Sequence, residues 1–228
     1  IATVKMNMPV GKPLHLFGAG HPCMFPLAVA LGCDLFDSAS YAIYARDGRY
    51  MTNAGTSRLE ELKYFPCSCP ICSSYSPKEL NSLEKHVKET YMAEHNLFVC
   101  MEEMRRIKQS ITEGRLWELL EIRSRSHPRL LQALLRIGEY KHLLEKHSPS
   151  TKRKGIFFFD RVSLSRPEIL RYETRLTNEY RPPRSSRILL LLPIARKRTY
   201  DRKSTLGGLL GKLSTNRMVH CCFCTIPY

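Results

Sequence analysis

Long apolar runs are what this 228-residue chain most clearly lacks. The longest, Ile188 to Leu192, is strand-sized and far short of the roughly 18–20 residues that cross a bilayer as a helix. No stretch reads as a secretory leader. Acidic side chains are also scarce, 21 against 36 basic ones, for a net charge of +15. Internal repeats are absent, which excludes a solenoid. Hydrophobic residues make up 43%, enough for a packed core, which argues against disorder. Nine cysteines without a leader point to a reducing compartment, where thiols hold metal or pack. The expectation is a cytoplasmic protein with no membrane partner. The chain begins at Ile1 and ends at Tyr228 just after a strand-like run, so both ends read as cut and the chain as a piece of a longer one.

The positive charge is unevenly spread. Residues 1–60 carry five basic and four acidic side chains, and residues 61–150 fourteen and twelve. Residues 151–228 carry seventeen and five, net +12. A basic field concentrated in the last third fits a polyanion, most simply nucleic acid. A solvated basic surface is the blander alternative.

The pattern of residues predicts α/β structure. Leu14–Gly18 reads as a buried strand, His21–Leu31 as a helix closed by Gly32, and Cys33–Asp37 as a second strand, together a parallel βαβ unit. Residues 38–66 read as loops and short strands, with a turn at Arg46–Arg49. Ser76 and Glu79 form a capping box opening a helix whose apolar face continues through Leu80, Leu83 and Val87. Val99–Arg125 reads as one helical region weakened at Gly114, with Met101, Met104, Ile107, Ile111, Leu116, Leu119 and Leu120 as its core stripe. Arg129–Lys146 follows as a helix with Leu135 among its inward residues. The polar connector Ser148–Lys154 divides the chain into 1–150 and 151–228. Beyond it, strands are expected at Gly155–Asp160, Ile188–Pro193 and Val219–Thr225, and helices within Pro167–Arg181 and over Leu206–Leu213.

The chemistry concentrates in Cys67-Ser68-Cys69-Pro70-Ile71-Cys72. Three cysteines at this spacing wrap one side of a tetrahedral zinc ion, and one histidine completes a closed structural shell. Spacing alone leaves His86 and His95 both open as the fourth ligand. Asp37 ends a strand, the position from which catalytic carboxylates project in α/β barrels, although a turn or N-cap role fits equally. Phe17 and Gly18 end the neighbouring strand, where a ring and bare backbone suit a flat heterocycle or an ordinary core and turn.

The sequence His15-Leu16-Phe17-Gly18-Ala19-Gly20-His21-Pro22, then Gly32 to Ala39, the cysteine knuckle, and Ala93-Glu94-His95-Asn96 closely resembles the tRNA-guanine transglycosylases, in their archaeal, archaeosine-forming branch. The resemblance is strong over about residues 12–150. It implies the last βα units of a TIM (β/α)8 barrel with a zinc module and helices, followed by a small α+β domain. It implies exchange of guanine for 7-cyano-7-deazaguanine at position 15 of tRNA without ATP, with tRNA and the free base as partners and room for a homodimer. By the same resemblance Asp37 is the nucleophile, Phe17 and Gly18 contact the base, and Arg46 helps hold the tRNA. Cys67, Cys69, Cys72 and His95 bind one structural zinc, which selects His95 over His86. The matching strands resemble the last two of eight, so the chain alone is expected to be inactive.

Two other readings remain. One is a non-catalytic zinc-containing tRNA-binding module in which Asp37 is idle. The other is an archaeosine synthase-type enzyme, which the Leu189–Pro193 run followed by Arg196-Lys197-Arg198 resembles in degenerate form, with Lys197 as its nucleophile. His220-Cys221-Cys222-Phe223-Cys224 offers metal-ligand types, but neighbouring residues on a strand point to opposite faces, so a plain strand is the better reading.

Overall fold

The structure, a computed structural model, describes residues 1–9, 11–149, 155–193, 205–214, 216 and 218–224. It forms two compact units, Ile1–Leu170 and Arg171–Tyr228. Residues 150–154, in the connector expected to divide the chain, lie outside the described residues.

The first unit opens with a short helix, α1 (Ala2–Met6), and strand β1 (His15–Phe17). The chain leaves β1 through Gly18, whose φ of +77° favours glycine because it has no Cβ to clash. A 3-10 turn over Pro22–Met24 leads into α2 (Phe25–Ala30). Both segments carry proline at their starts, where the missing N–H leaves nothing unsatisfied. Gly32 ends α2 as expected. Its N–H donates to the Val29 carbonyl (2.9 Å), and the Cys33 N–H donates to the Ala28 carbonyl (3.0 Å), the paired closure of a Schellman motif.

Strand β2 (Leu35–Asp37) then runs parallel to β1, in the register His15–Leu35, Leu16–Phe36 and Phe17–Asp37. The βαβ unit is present with shorter strands than the sequence suggested. Alternation sends Leu16 and Phe36 inward, where Phe36 packs on Phe25 with ring centroids 4.9 Å apart. His15, Phe17, Leu35 and Asp37 share the opposite face, which is exposed. No closed barrel exists among the described residues, whose strands form three two-stranded sheets.

The turn and short strands expected within residues 38–66 are present, but an unexpected helix precedes them. Ser40–Arg46 is a helix, α3, followed by an antiparallel hairpin of β3 (Arg49–Met51) and β4 (Thr56–Arg58). Tyr, Ile and Tyr within α3 are weak helix formers, and burial of Ala45 against the long helix that follows overrides that preference. Next come α4 (Pro70–Ser74) and α5 (Pro77–Ser82). The capping box holds: Ser76 N–H donates to Glu79 Oε2 at 2.7 Å, and Glu79 N–H donates to Ser76 Oγ at 3.3 Å. That helix stops before Val87 because the backbone becomes extended at Leu83 and Glu84.

The 28-residue α6 (Lys85–Thr112) starts well before Val99 and ends near Gly114, whose φ is +68°. Helix α7 (Leu116–Ser124) follows. The break resets the helical phase, so the expected single stripe becomes separate faces. Ile107 and Leu120 are buried, whereas Met101 and Ile111 are about half exposed, at 48% and 51%. The expected 129–146 helix is likewise divided, into α8 (Pro128–Leu135), a 3-10 turn over Ile137–Tyr140 and α9 (Lys141–Lys146). Leu135, expected to face inward, is exposed.

Three apolar clusters result. Ala45, Tyr50, Leu59, Ile71, Leu80 and Met92 lie beneath the cysteine knuckle. Phe25, Ile107 and Leu119 join α2, α6 and α7. Trp117, Leu120, Leu134, Ile137 and Leu144 hold α7 to α8 and α9.

The expected strand at Gly155–Asp160 forms no ladder. Side-chain chemistry fixes this segment instead. Arg166, fully buried, donates through Nη2 to Glu118 Oε2 (3.2 Å) and through Nη1 to the Phe157 carbonyl (3.2 Å). Ser163 Oγ donates to the buried Glu121 carboxylate at 2.8 and 3.0 Å. Helix α10 (Pro167–Asn178) comes next. Within the second unit the strand, helix and strand that the pattern indicated are present as β5 (Ile188–Pro193), α11 (Thr205–Ser214) and β6 (Val219–Cys224), and the structure adds that β5 and β6 pair in parallel.

Removing one member of a buried ion pair strands the other charge. Arg166→Ala is therefore expected to destabilise the protein by about 3–5 kcal/mol, read as a fall in the urea unfolding midpoint. Arg166→Met combined with Glu118→Leu should recover most of that loss.

Candidate metal centre and strand-end carboxylate

Cys67, Cys69, Cys72 and His95 converge so that one sulfur or nitrogen atom from each lies within 4.8 Å of all the others. Local backbone makes the knuckle. Cys69 is the N-cap of α4 and Pro70 its first residue, which brings Cys72 back one turn later. The Cys69 N–H donates to Cys67 Sγ at 3.4 Å. His95 enters from the side of α6, its Nδ1 lying 3.4 Å from both Cys69 Sγ and Cys72 Sγ. His86 takes no part: it is exposed on the first turn of α6, with Thr90 Oγ1 3.3 Å from its Nδ1.

The surroundings prepare His95 as a ligand. Its Nε2 lies 2.9 Å from the Met51 carbonyl. A proton on Nε2 donates there and leaves the Nδ1 lone pair facing the sulfurs, the outer-shell arrangement typical of metal-bound histidine. Burial lowers its pKa, opposed in part by the bond to Met51, which favours the neutral ligand form. Tyr50 stacks on His95 with centroids 3.8 Å apart and on Phe65 at 5.0 Å. Its hydroxyl sits 3.2 Å from Cys72 Sγ, placed to donate to a thiolate. Asn96 completes the frame: its Oδ1 accepts from the Met51 N–H (2.8 Å), and its Nδ2 donates to the carbonyls of Tyr41 (3.0 Å) and Arg49 (3.1 Å).

Three thiols and one imidazole in a closed shell are the donor set of structural zinc, with no position left for a catalytic water. The cysteines gave this site away in the sequence. Tyr50 and Asn96 gave no comparable signal, since stacking and backbone clamping leave no spacing rule. Cys23 and Cys100 stand apart from the metal group, their thiols pushed up to about 11 mainly by burial. Cys221 and Cys222 sit on β6 opposite Leu190 and Leu191, in keeping with a plain strand. Lys197 lies outside the described residues.

The second feature is the end of the β1–β2 pair. Phe17 and Asp37 face each other in register, and the Gly18 N–H extends the ladder by donating to the Asp37 carbonyl at 2.7 Å. Phe17 is 80% exposed, and the Asp37 side chain is exposed with no partner among the described residues. Asp37 does not cap α3, whose N-cap is Ala39. Asp34, at the opposite end of β2, is committed to structure. Its Oδ2 accepts from the Leu14 N–H (2.8 Å) and from Lys5 Nζ (3.1 Å), which together hold its carboxyl below the usual range. Arg46 ends α3, exposed and without an ion-pair partner among the described residues.

Residues 1–129 match the sequence model of the queuine tRNA-ribosyltransferase family. The chain is 56% identical over 179 residues to the tRNA-guanine(15) transglycosylase of Methanocaldococcus jannaschii, covering 77% of this chain and 27% of that protein. It is 54% identical to the protein of the same name from Methanococcus aeolicus, again over 77% of this chain and 28% of the relative. The Pyrococcus furiosus protein of that name is 53% identical over 171 residues, 75% of this chain and 29% of its own length. The chain thus spans less than a third of these relatives.

Two outcomes are expected at the metal group. Cys72→Ser or His95→Ala should abolish stoichiometric zinc, measured by elemental analysis, while His86→Ala retains it. Because the folded pKa of His95 is lowered, its contribution to stability is present above the unfolded value of about 6.5 and is lost as pH falls below it. Zinc release followed with a chromogenic chelator should rise on acidification through that range, since protons also compete for the thiolates.

Proposed function

From the premise that this chain belongs to the queuine tRNA-ribosyltransferase family, we propose that it is the nucleophile- and zinc-bearing part of a tRNA-guanine(15) transglycosylase acting in archaeosine synthesis. The observation that carries the proposal is the register of β1 and β2. It sets a carboxylate with no partner among the described residues (Asp37), an exposed ring (Phe17) and a bare backbone position (Gly18) side by side at the C-terminal ends of two parallel strands. That end is where α/β barrels place their chemistry. The names and the 53–56% identity of the relatives support the same reading.

In the proposed reaction an Asp37 carboxylate oxygen attacks C1′ of the guanosine ribose. The C1′–N9 bond breaks, guanine leaves with its electron pair and takes up a proton, and the sugar stays on Asp37 as a covalent glycosyl-enzyme. The incoming 7-cyano-7-deazaguanine, deprotonated at N9, attacks C1′ from the opposite face and releases the carboxylate. Two inversions give retention, as in retaining glycosidases. Phe17 stacks on the base, and the Gly18 backbone lets it approach closely. Arg46 contributes one phosphate contact. Zinc held by Cys67, Cys69, Cys72 and His95 would tie the knuckle to α6 as a structural ion, outside the bond making.

The exposed face of His15, Phe17, Leu35 and Asp37 fits the interior side of a larger parallel barrel, because parallel strands ordinarily have both faces covered. The remaining strands would come from the part of the protein represented in the rest of the relatives' length. Cytoplasmic location, where the tRNA is, and a homodimer belong to the same proposal.

The test is incorporation of labelled guanine into tRNA by this chain joined to the upstream part of the Methanocaldococcus jannaschii relative. Asp37→Ala should reduce exchange to background, and Arg46→Ala should raise KM for tRNA while lowering the salt dependence of binding by about one charge. Exchange that survives Asp37→Ala would refute the proposal. A joined chain that binds tRNA with a steep salt dependence but exchanges no base would instead mark a binding module.

A further inference from the structure

The segments that leave β1 and β2 come together at a glycine. Gly20 is buried. A Cβ built there would lie 2.0 Å from Ser40 Oγ, 2.1 Å from Ser38 Oγ and 2.4 Å from Ser38 Cβ. Rotating the hydroxyls would relieve the first two contacts. The third is to a Cβ atom, which moves only with its backbone. The serines are themselves tied, since the Ser40 N–H donates to Ser38 Oγ at 3.1 Å. Ser38 directly follows Asp37.

The Gly20 side of this contact is also fixed. The Gly18 N–H holds the Asp37 carbonyl at 2.7 Å, and the Cys23 N–H donates to His21 Nδ1 at 3.3 Å. The Gly20 carbonyl itself accepts from Cys100 Sγ on α6 at 3.7 Å. The loop after β1 is thus held at the Gly18 N–H and at the Gly20 carbonyl, and it bears on the residue after Asp37 through Gly20.

We propose that Gly20 is a positioning residue for Asp37: its lack of a side chain lets the loop after β1 seat on Ser38 and Ser40 and sets where the Asp37 carboxylate stands. The inference rests on Asp37 being the nucleophile. Any Cβ at position 20 pushes Ser38, and with it Asp37, away from the Phe17–Gly18 strand end, and a displacement of about 1 Å at a reacting group costs on the order of 100-fold in rate.

The experiment uses the joined chain described above, with four variants: Gly20→Ala, Ser38→Gly with Ser40→Ala, all three changes together, and Asp37→Ala. Gly20→Ala is expected to lower kcat by about 100-fold with KM for tRNA and zinc content unchanged. The triple variant, which clears the space the new methyl needs, is expected to regain the activity of the Ser38→Gly, Ser40→Ala pair. Gly20→Ala turning over like the parent while Asp37→Ala is inactive would overturn this inference and leave the proposed reaction standing. Loss of zinc along with activity in Gly20→Ala, unrepaired in the triple variant, would also overturn it by making Gly20 a folding residue only. Activity in Asp37→Ala would overturn both.

Discussion

One backbone unit, Met51, joins the metal group to the rest of the first unit. Its carbonyl faces His95 Nε2 and its N–H donates to Asn96 Oδ1, so two consecutive residues of α6 grip a single residue of β3. Met51 is fully buried, and a buried peptide group left unpaired costs about 1–3 kcal/mol. The grip therefore fixes the hairpin, the histidine tautomer and the rotation of α6 in one arrangement. Asn96 extends it to Tyr41 and Arg49, which brings α3 into the same frame.

What the sequence made legible follows the locality of the physics. The knuckle cysteines, the Ser76–Glu79 capping box and Gly32 each depend on contacts within a few residues, and each appears where the pattern put it. The choice of His95 was open on spacing and closed only by resemblance; the structure reaches it independently through the 3.4 Å approaches of its Nδ1. Asp37 was legible as a strand-end carboxylate, and the structure separates it from Asp34 by committing the latter to Leu14 and Lys5. Helix α3 was missed because burial of Ala45, a distant effect, decides it. The Met101 and Ile111 positions failed because the break at Gly114 changes which face of each helix meets a neighbour. The Gly155–Asp160 strand failed for a related reason: its apolar residues suit a ladder, but no strand is placed beside it among the described residues.

The polar contacts of α7 show how an irregular segment is held without a sheet. Glu118 and Glu121 are buried carboxylates one turn apart, and each meets a donor from residues 163–166. Glu103 on α6 is matched in the same way by Arg123, at 2.7 and 2.9 Å. These pairs compensate the desolvation of their charges more than they add stability. Their effect is to define one register between helices whose apolar contacts alone would allow sliding.

The placement of the aromatic rings has an optical consequence. The chain has a single tryptophan, and Trp117 belongs to the α7–α8–α9 cluster, with the Arg166 guanidinium 6.0 Å from its ring. Tyr50 belongs to the cluster beneath the metal group, between Phe65 and His95. With eleven tyrosines in the chain, absorption follows no single cluster, but the lone indole's emission follows the α7–α8–α9 cluster, and set against zinc release it tells whether the two halves of the first unit melt together or in turn.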